Sequence, residues 1–262
     1  MAKFTWSGTY GFQPYLFDLS NLADADGYER SSTTFKAVYG TLKRSWDKFE
    51  GYGFTYTADG IPTGGTVTSY SGVDGGQKVA SLTGVKISVG RLVDAASTYS
   101  TNDDLKVLQS ALSGRDEITG GKYDDNLSGY SGNDTLTGGG GADWLSGGKG
   151  ADRFVFRSVS DSRGYDNDVI TDFSRSQGDK INLSKIDAKT GIAGNQAFTF
   201  IGTAEFSGQK GELRYDVFES EDEYGRISYT SYVEADVNGD SVADFEVTLD
   251  KVGFITKSYF IL

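Results

Sequence analysis

From residue 114 to residue 156 the chain repeats itself every nine residues, and a unit that short can bury an apolar face only by stacking on its neighbours. Full units begin at Gly120, Gly129, Gly138 and Gly147, after a partial unit that begins at Gly114. Asp116, Asp125, Asp134, Asp143 and Asp152 recur nine apart, each followed two places on by an apolar residue: Ile118, Leu127, Leu136, Leu145 or Phe154. Glycines at the first, second and fourth places permit sharp turns whose carbonyls point inward. The residues after each turn form a short extended segment with one inward side chain. Two units then close one coil, so residues eighteen apart stack. Asp116, Asp134 and Asp152 should line one edge, and Asp125 and Asp143 the other. A flexible Gly/Asp linker has no cause to hold an apolar residue in this register. The second unit has Tyr123 at its fourth place, where the others have glycine, so that turn should differ.

Stacked strands lie about 4.8 Å apart, so each edge gathers like charges unless a cation sits between the rungs. Carboxylate and carbonyl oxygens, without thiolate or imidazole, suit a hard divalent cation such as calcium. The unit resembles the RTX (hemolysin-type) calcium-binding nonapeptide, G-G-x-G-x-D-x-U-x. That resemblance implies a parallel β-roll with Ca2+ as part of the fold. The candidate ligands are Asp116, Asp125, Asp134, Asp143 and Asp152, with backbone oxygens of Gly114, Gly120, Gly129, Gly132, Gly138, Gly141, Gly147 and Gly150. At least three sites are expected, between Asp116 and Asp134, Asp125 and Asp143, and Asp134 and Asp152. Trp144 follows an aspartate, so its ring should face outward while Leu145 points in.

The composition excludes several functions. With no histidine, neither an H-E-x-x-H zinc protease nor a Ser-His-Asp hydrolase can be encoded. With no cysteine there are no disulfides or thiolate sites. A net charge of −12 argues against nucleic acid, which calls for clustered Lys and Arg. No apolar run is long enough to span a membrane, and Met1 to Trp6 begin no apolar leader, so export without a cleaved N-terminal signal is expected.

Residues 1–100 are unlike the repeats. Alternation at 52–57, a turn at 59–65, a returning strand at 66–70 and apolar periodicity at 79–89 predict an antiparallel β-sandwich-like domain. Residues 33–42 fit strand or helix. Trp6, Tyr10, Phe12, Tyr15, Phe17, Tyr52, Phe54 and Tyr56 are mostly core by expectation, though exposed rings could stack on sugars. Asp24, Asp26 and Glu29 could serve a glycosidase but fit a solvated loop better. Leu105, Leu108 and Leu112 share one face of a helix expected over 103–112, which would cap the first coil. The expected division is 1–100, 101–113 and 114–262.

After the repeats, Asp166-Asn167-Asp168-Val169-Ile170-Thr171-Asp172-Phe173 and Gly178-Asp179-Lys180-Ile181-Asn182-Leu183-Ser184 resemble the last coils of the serralysin-type C-terminal domain, as do segments near 197–202 and 211–215. The resemblance covers about residues 105–262. It implies a parallel roll closed by antiparallel strands, secreted by a type I (ABC transporter) system through an uncleaved C-terminal signal, and adds Asp168, Asp172 and Asp179 to the candidate metal ligands. It carries no protease, and the apolar end 258–262 lacks a directly preceding acid. Asp236, Asn238, Asp240 and Asp244 resemble a second type of calcium loop, yet Ser241 stands where such loops prefer glycine, and an Asn-Gly hairpin turn without metal fits as well.

These observations point to a secreted calcium-binding RTX protein of a Gram-negative bacterium, with a non-catalytic N-terminal domain for polysaccharide binding or self-assembly at a surface or in a matrix. The alternative is a small carbohydrate-active enzyme, of epimerase, lyase or hydrolase type, carried on an RTX module.

Overall fold

The computed structural model describes residues 1–262, the Leu16 side chain excepted. Strand length follows the spacing of turn residues. The N-terminal half builds β1 (Lys3–Trp6), β2 (Gly27–Arg30), β3 (Thr34–Tyr39), β4 (Ser45–Tyr56), β5 (Pro62–Asp74) and β6 (Gln77–Ser88). Neighbours in the order β1-β6-β5-β4-β3-β2 pair antiparallel. Two helices follow, α1 (Val89–Ala96) and α2 (Thr101–Ala111).

Where glycine and aspartate return every nine residues, the strands shrink to three residues each. They are β7 (Glu117–Thr119), β8 (Asn126–Ser128), β9 (Thr135–Thr137), β10 (Trp144–Ser146) and β11 (Arg153–Val155). Successive strands go to opposite sheets and pair parallel with the strand two ahead: Glu117 with Thr135, Asn126 with Trp144, Thr135 with Arg153. Residues eighteen apart therefore stack, as the period requires. Ile118, Leu127, Leu136, Leu145 and Phe154 fill the space between the sheets and are completely buried.

Two further rungs, β12 (Asp168–Ile170) and β13 (Lys180–Asn182), continue the coil. Then β14 (Thr199–Gly202), β15 (Glu212–Glu221), β16 (Ile227–Asp236) and β17 (Phe245–Asp250) extend one sheet, with β15, β16 and β17 antiparallel. The terminal β18 (Phe260–Ile261) joins β13. One sheet has seven strands, ordered β14-β15-β16-β17-β12-β10-β8, and the other eleven, ordered β18-β13-β11-β9-β7-β1-β6-β5-β4-β3-β2.

The mostly-β fold agrees with the expectation, including the stacked roll and the antiparallel N-terminal strands. Several details differ. The N-terminal strands lie in one sheet, and α1 and α2 rather than a second antiparallel sheet pack against β5 and β6. Within residues 33–42, Thr34–Tyr39 form the strand β3 and 40–42 turn. The apolar run over 79–89 stops at Ser88, where α1 begins. Val89, Leu92, Val93 and Ala96 carry its helical period, a signal hidden by the preceding strand pattern. Gly53, at φ 68°, breaks the register of β4, so Tyr52 is 56% exposed and Phe54 only 6% although alternation alone would put them on one face.

The largest difference concerns the first coil. The helix expected over 103–112 forms at Thr101–Ala111, but the open end of the roll is covered by residues 2–12. β1 pairs parallel with β7, Lys3 opposite Glu117 and Phe4 opposite Ile118, and Asn126 donates its N–H to the Phe12 carbonyl at 2.7 Å. The physical reason is hydrogen bonding. An end rung presents unpaired N–H and C=O groups, which a strand satisfies and a helix, whose backbone is already paired, does not. The eleven-stranded sheet consequently joins strands from both sides of α2, with β1 between β7 and β6.

Candidate metal centre

Each repeat aspartate is buried, with Asp116, Asp125, Asp134, Asp143 and Asp152 all between 0 and 2% exposed. Stacking gives every one the same task. The Oδ1 atom of each rung accepts the backbone N–H of the aspartate one coil earlier: Asp134 from Asp116, Asp143 from Asp125, and Asp152 from Asp134, each at 2.8 Å. Asp168 accepts from Asp143 at 3.0 Å and Asp179 from Asp152 at 2.9 Å, so these two later residues continue the ladders across longer connections. At the other end Ala2 and Phe12 donate to Asp116 and Asp125.

The second oxygen distinguishes the ends of the ladders from the middle. Asp116 Oδ2 accepts from the Gly114 N–H at 3.2 Å, Asp125 Oδ2 from Gly121 at 2.6 Å, and Asp179 Oδ2 from Ser174 at 2.8 Å. Asp172 caps the last glycine turn, taking the N–H groups of Gly147 and Gly148 and the Ser146 hydroxyl. By contrast Oδ2 of Asp134, Asp143, Asp152 and Asp168 is buried and accepts nothing. An unpaired buried carboxylate oxygen costs several kcal/mol unless a proton or a cation meets it, in order of magnitude.

These oxygens sit over glycine. A Cβ placed on Gly129 would come within 2.6 Å of both Asp134 Oδ2 and the Gly147 carbonyl oxygen. One on Gly138 would meet Asp143 Oδ2 at 2.0 Å, and one on Gly147 would meet Asp152 Oδ2 at 2.3 Å. Glycine thus leaves a small oxygen-lined cradle beside the free carboxylate oxygens of Asp134, Asp143 and Asp152. Gly132 and Gly150, at φ 137° and 131°, bring the turns so close that an added Cβ would lie 1.8 and 1.6 Å from the carbonyl oxygens of Gly114 and Gly132. Tyr123, in the corresponding place, stays out of the left-handed region, and Gly11 packs against the Asp124 carbonyl beside it.

Among the described residues no point gathers three or more acidic side chains. That fits a roll in which each rung supplies one carboxylate and carbonyls must supply the rest, the oxygen-only shell that calcium takes. Burial raises Asp134 and Asp143 to about 7, Asp152 to about 6 and Asp168 to about 9. The N–H from the neighbouring rung pulls each of them down, and nearby carboxylates push each of them up. Asp125 and Asp179 are also raised, again chiefly by burial.

Sequence reasoning missed three supports of the ladders. Asp124 and Asn133, one place before a ladder aspartate, accept the N–H groups of Ala142 and Ala151, eighteen residues on, at 2.9 and 3.0 Å. Their spacing of nine was the available signal. Ser162 offers its hydroxyl oxygen to the Asp168 N–H at 2.7 Å, standing where another aspartate would be, and no local pattern announces it.

At the second candidate loop, Asp236 is fully buried, with Oδ1 accepting from Asn238 and Gly239 and Oδ2 from Ser241. Asp244 accepts from Val237 and from the Asn238 amide, and Asp240 from Val242. The carboxylates of this loop accept from donors within the loop itself. In the acidic loop, Asp26 accepts the Gly40 N–H and Glu29 pairs with Lys36 at 2.9 Å. Asp24 instead lines a cleft of about 540 Å³ between residues 6–24 and the sheet. Trp144 is 58% exposed, with no segment laid over it, while Leu145 is buried.

The family described as Peptidase M10 serralysin C terminal matches residues 83–261. Among solved structures, the chain is similar to the solution structure of the AlgE6R3 subunit of the Azotobacter vinelandii mannuronan C5-epimerase, at 32% identity and a TM-score of 0.34. That match covers 52% of this chain and 66% of that one, just under two thirds of its length. The AlgE6R2 subunit of the same enzyme is 27% identical with a TM-score of 0.34, covering 55% of this chain and 79% of that one. No curated protein matches.

Proposed function

Because the chain belongs to the Peptidase M10 serralysin C-terminal family, we propose that it is a secreted protein whose RTX-type roll completes its folding on calcium outside the cell, and whose N-terminal unit binds polysaccharide without catalysis. The observation that carries the calcium reading is the set of four buried, unpaired oxygens at Asp134, Asp143, Asp152 and Asp168. These residues, with glycine-turn carbonyls such as that of Gly147, would hold the ions. A bound divalent cation would supply the positive charge that these oxygens lack. Asp116, Asp125, Asp172 and Asp179 have their oxygens taken by N–H donors and would frame the sites instead. The proposed sites therefore lie one rung further along than a pairing from Asp116 onward would put them.

Folding without metal leaves four carboxylates to be buried unpaired, so the free energy of binding is largely that of folding the roll. Sites of about 10⁻⁴ to 10⁻³ M affinity, usual for extracellular modules, would stay empty in a cytosol and fill in the medium. A chain kept loose inside suits an ABC transporter that moves unfolded substrates through a C-terminal signal. Circular dichroism and hydrogen exchange in a calcium titration test this. Protection of residues 116–182 should rise with calcium in the submillimolar to millimolar range. Full protection in excess chelator would refute the proposal.

The polysaccharide reading is supported by the aromatic-walled cleft that opens on the N-terminal sheet. A pull-down of the calcium-loaded chain on insoluble glycans, with a reducing-sugar assay on the supernatant, tests it. Retention without new reducing ends is expected, and turnover would favour the carbohydrate-active alternative.

A further inference from the structure

The cleft on the N-terminal sheet has one chemical bias that the polysaccharide reading does not specify. Its aromatic wall is rigid: Trp6 donates Nε1–H to the Tyr10 carbonyl at 2.7 Å, and the two rings meet edge-on with centroids 5.4 Å apart. Tyr10 nonetheless stays 58% exposed, its ring available to a ligand. On the sheet side Asp47 receives the Tyr39 hydroxyl at 2.9 Å and the Tyr70 hydroxyl at 2.6 Å, one on each oxygen. Burial first, and then Asp47, raise both phenols, so they keep the protons that they give to it. Their oxygens can only accept from anything in the cleft.

The remaining charged groups tell the same story. Asp18, Asp24 and Asp74 line the cleft with Asp47, and no described lining residue is Lys or Arg. Asp18 and Asp74 each use only Oδ1, for the Ser20 N–H and the Ser45 hydroxyl. The charged groups of the site are thus all hydrogen-bond acceptors, set beside an exposed ring. A uronate or sulfated glycan would bring negative charge into a cleft lined by four carboxylates, and like charges repel. A ring carrying an ammonium group gains both the carboxylates and the face of the aromatic wall. A volume of about 540 Å³ falls within the roughly 300 to 1,000 Å³ of small-molecule sites, so a short oligomer can enter.

We infer that this cleft binds a cationic amino sugar, a glucosamine-type pyranose with a free ammonium group, in preference to neutral or acidic glycans. The inference rests on the proposed polysaccharide binding and narrows it to one charge class.

Calorimetry on the calcium-loaded full chain tests it with three hexamers of equal length: glucosamine, N-acetylglucosamine and a uronate. The glucosamine hexamer should bind at least about tenfold more tightly than its acetylated counterpart, lose that margin in added salt, and leave the uronate undetected. Asp18→Asn with Asp24→Asn preserves the Ser20 contact while removing two charges, and should weaken the glucosamine hexamer by about tenfold. Tyr10→Ala, at an exposed ring, should weaken it by a similar order without altering melting. Equal binding of the acetylated or uronate hexamer, or variants with unchanged affinity, would overturn the charge assignment while polysaccharide binding stands. Silence toward all three would overturn both.

Discussion

The roll and the N-terminal sheet share one continuous set of strands yet are stabilised differently. In the sheet, long strands cover a shared core: β6 alone buries Ala80, Leu82, Val85 and Ile87, β4 buries Phe49 and Phe54, and α1 packs against β5 and β6. In the roll each repeat strand of three residues buries one apolar side chain, worth roughly 1.5 to 3 kcal/mol, and it is followed by a glycine turn whose ordering is costly. What the roll lacks in apolar area it replaces by repetition, through aspartate ladders that take a backbone N–H at every rung. The lesson is that a strand too short to carry its own core can still be held, provided its polar groups are used in register.

Glycine gives the largest contrast. Gly150 has φ 131° with the Gly132 carbonyl where its Cβ would go, whereas Gly40 has φ 72° with open space around it. Gly40→Ala should cost about 1 kcal/mol, the conformational penalty alone. Gly150→Ala should cost more than about 4 kcal/mol or prevent the roll from closing even in saturating calcium, because backbone must move. Equal thermal shifts for the two would erase the distinction between the regions.

Within the roll, Asp134→Asn keeps a ladder acceptor but removes the charge on an unpaired oxygen, while Asp116→Asn acts where both oxygens already accept N–H groups. The calcium midpoint should rise about tenfold or more for the first and by a factor of about two for the second, measured by dichroism. A larger shift at Asp116 would move the sites one rung back.

Acid sharpens the comparison further. Because the folded roll raises Asp134 and Asp143 to about 7 and Asp152 to about 6, above an ordinary 3.8, their protonated forms favour the metal-free fold. In chelator this contribution is fully present below about pH 4 and is lost as pH rises through about 6 to 7. Calcium competes with those protons, so its affinity should grow across the same window. Melting curves in chelator between pH 4 and 8 should fall with pH, and those in calcium should not. A flat chelator series would contradict the burial argument. The smallest effect is expected at Trp144, where Trp144→Ala removes a ring already more than half in water. Melting should drop by the equivalent of no more than about 0.5 kcal/mol.

Much of the roll was legible in the residues alone. A spacing of nine, an apolar residue two places after each aspartate and glycine at the turns determine two stacked ladders, with Leu145 in and Trp144 out, because each unit needs only its like eighteen residues away. Asp168 and Asp179 were recognisable through resemblance although their spacing departs from eighteen, to 25 and 27. Tertiary structure alone decided what happens at the ends. Ala2 meets Asp116 across 114 positions and Phe12 meets Asp125 across 113, and nothing local tells a strand that it will serve as a rung. Which carboxylates are left unpaired is equally invisible among near-identical repeats: Gly114 and Gly121 take the second oxygens of Asp116 and Asp125, and nothing takes those of Asp134, Asp143 and Asp152. The cleft is likewise non-local. Tyr39, Asp47 and Tyr70 converge from three strands with residues 6–24 laid opposite, because charge and aromatic rings placed far apart in the chain acquire a common chemistry only when the sheet pairs.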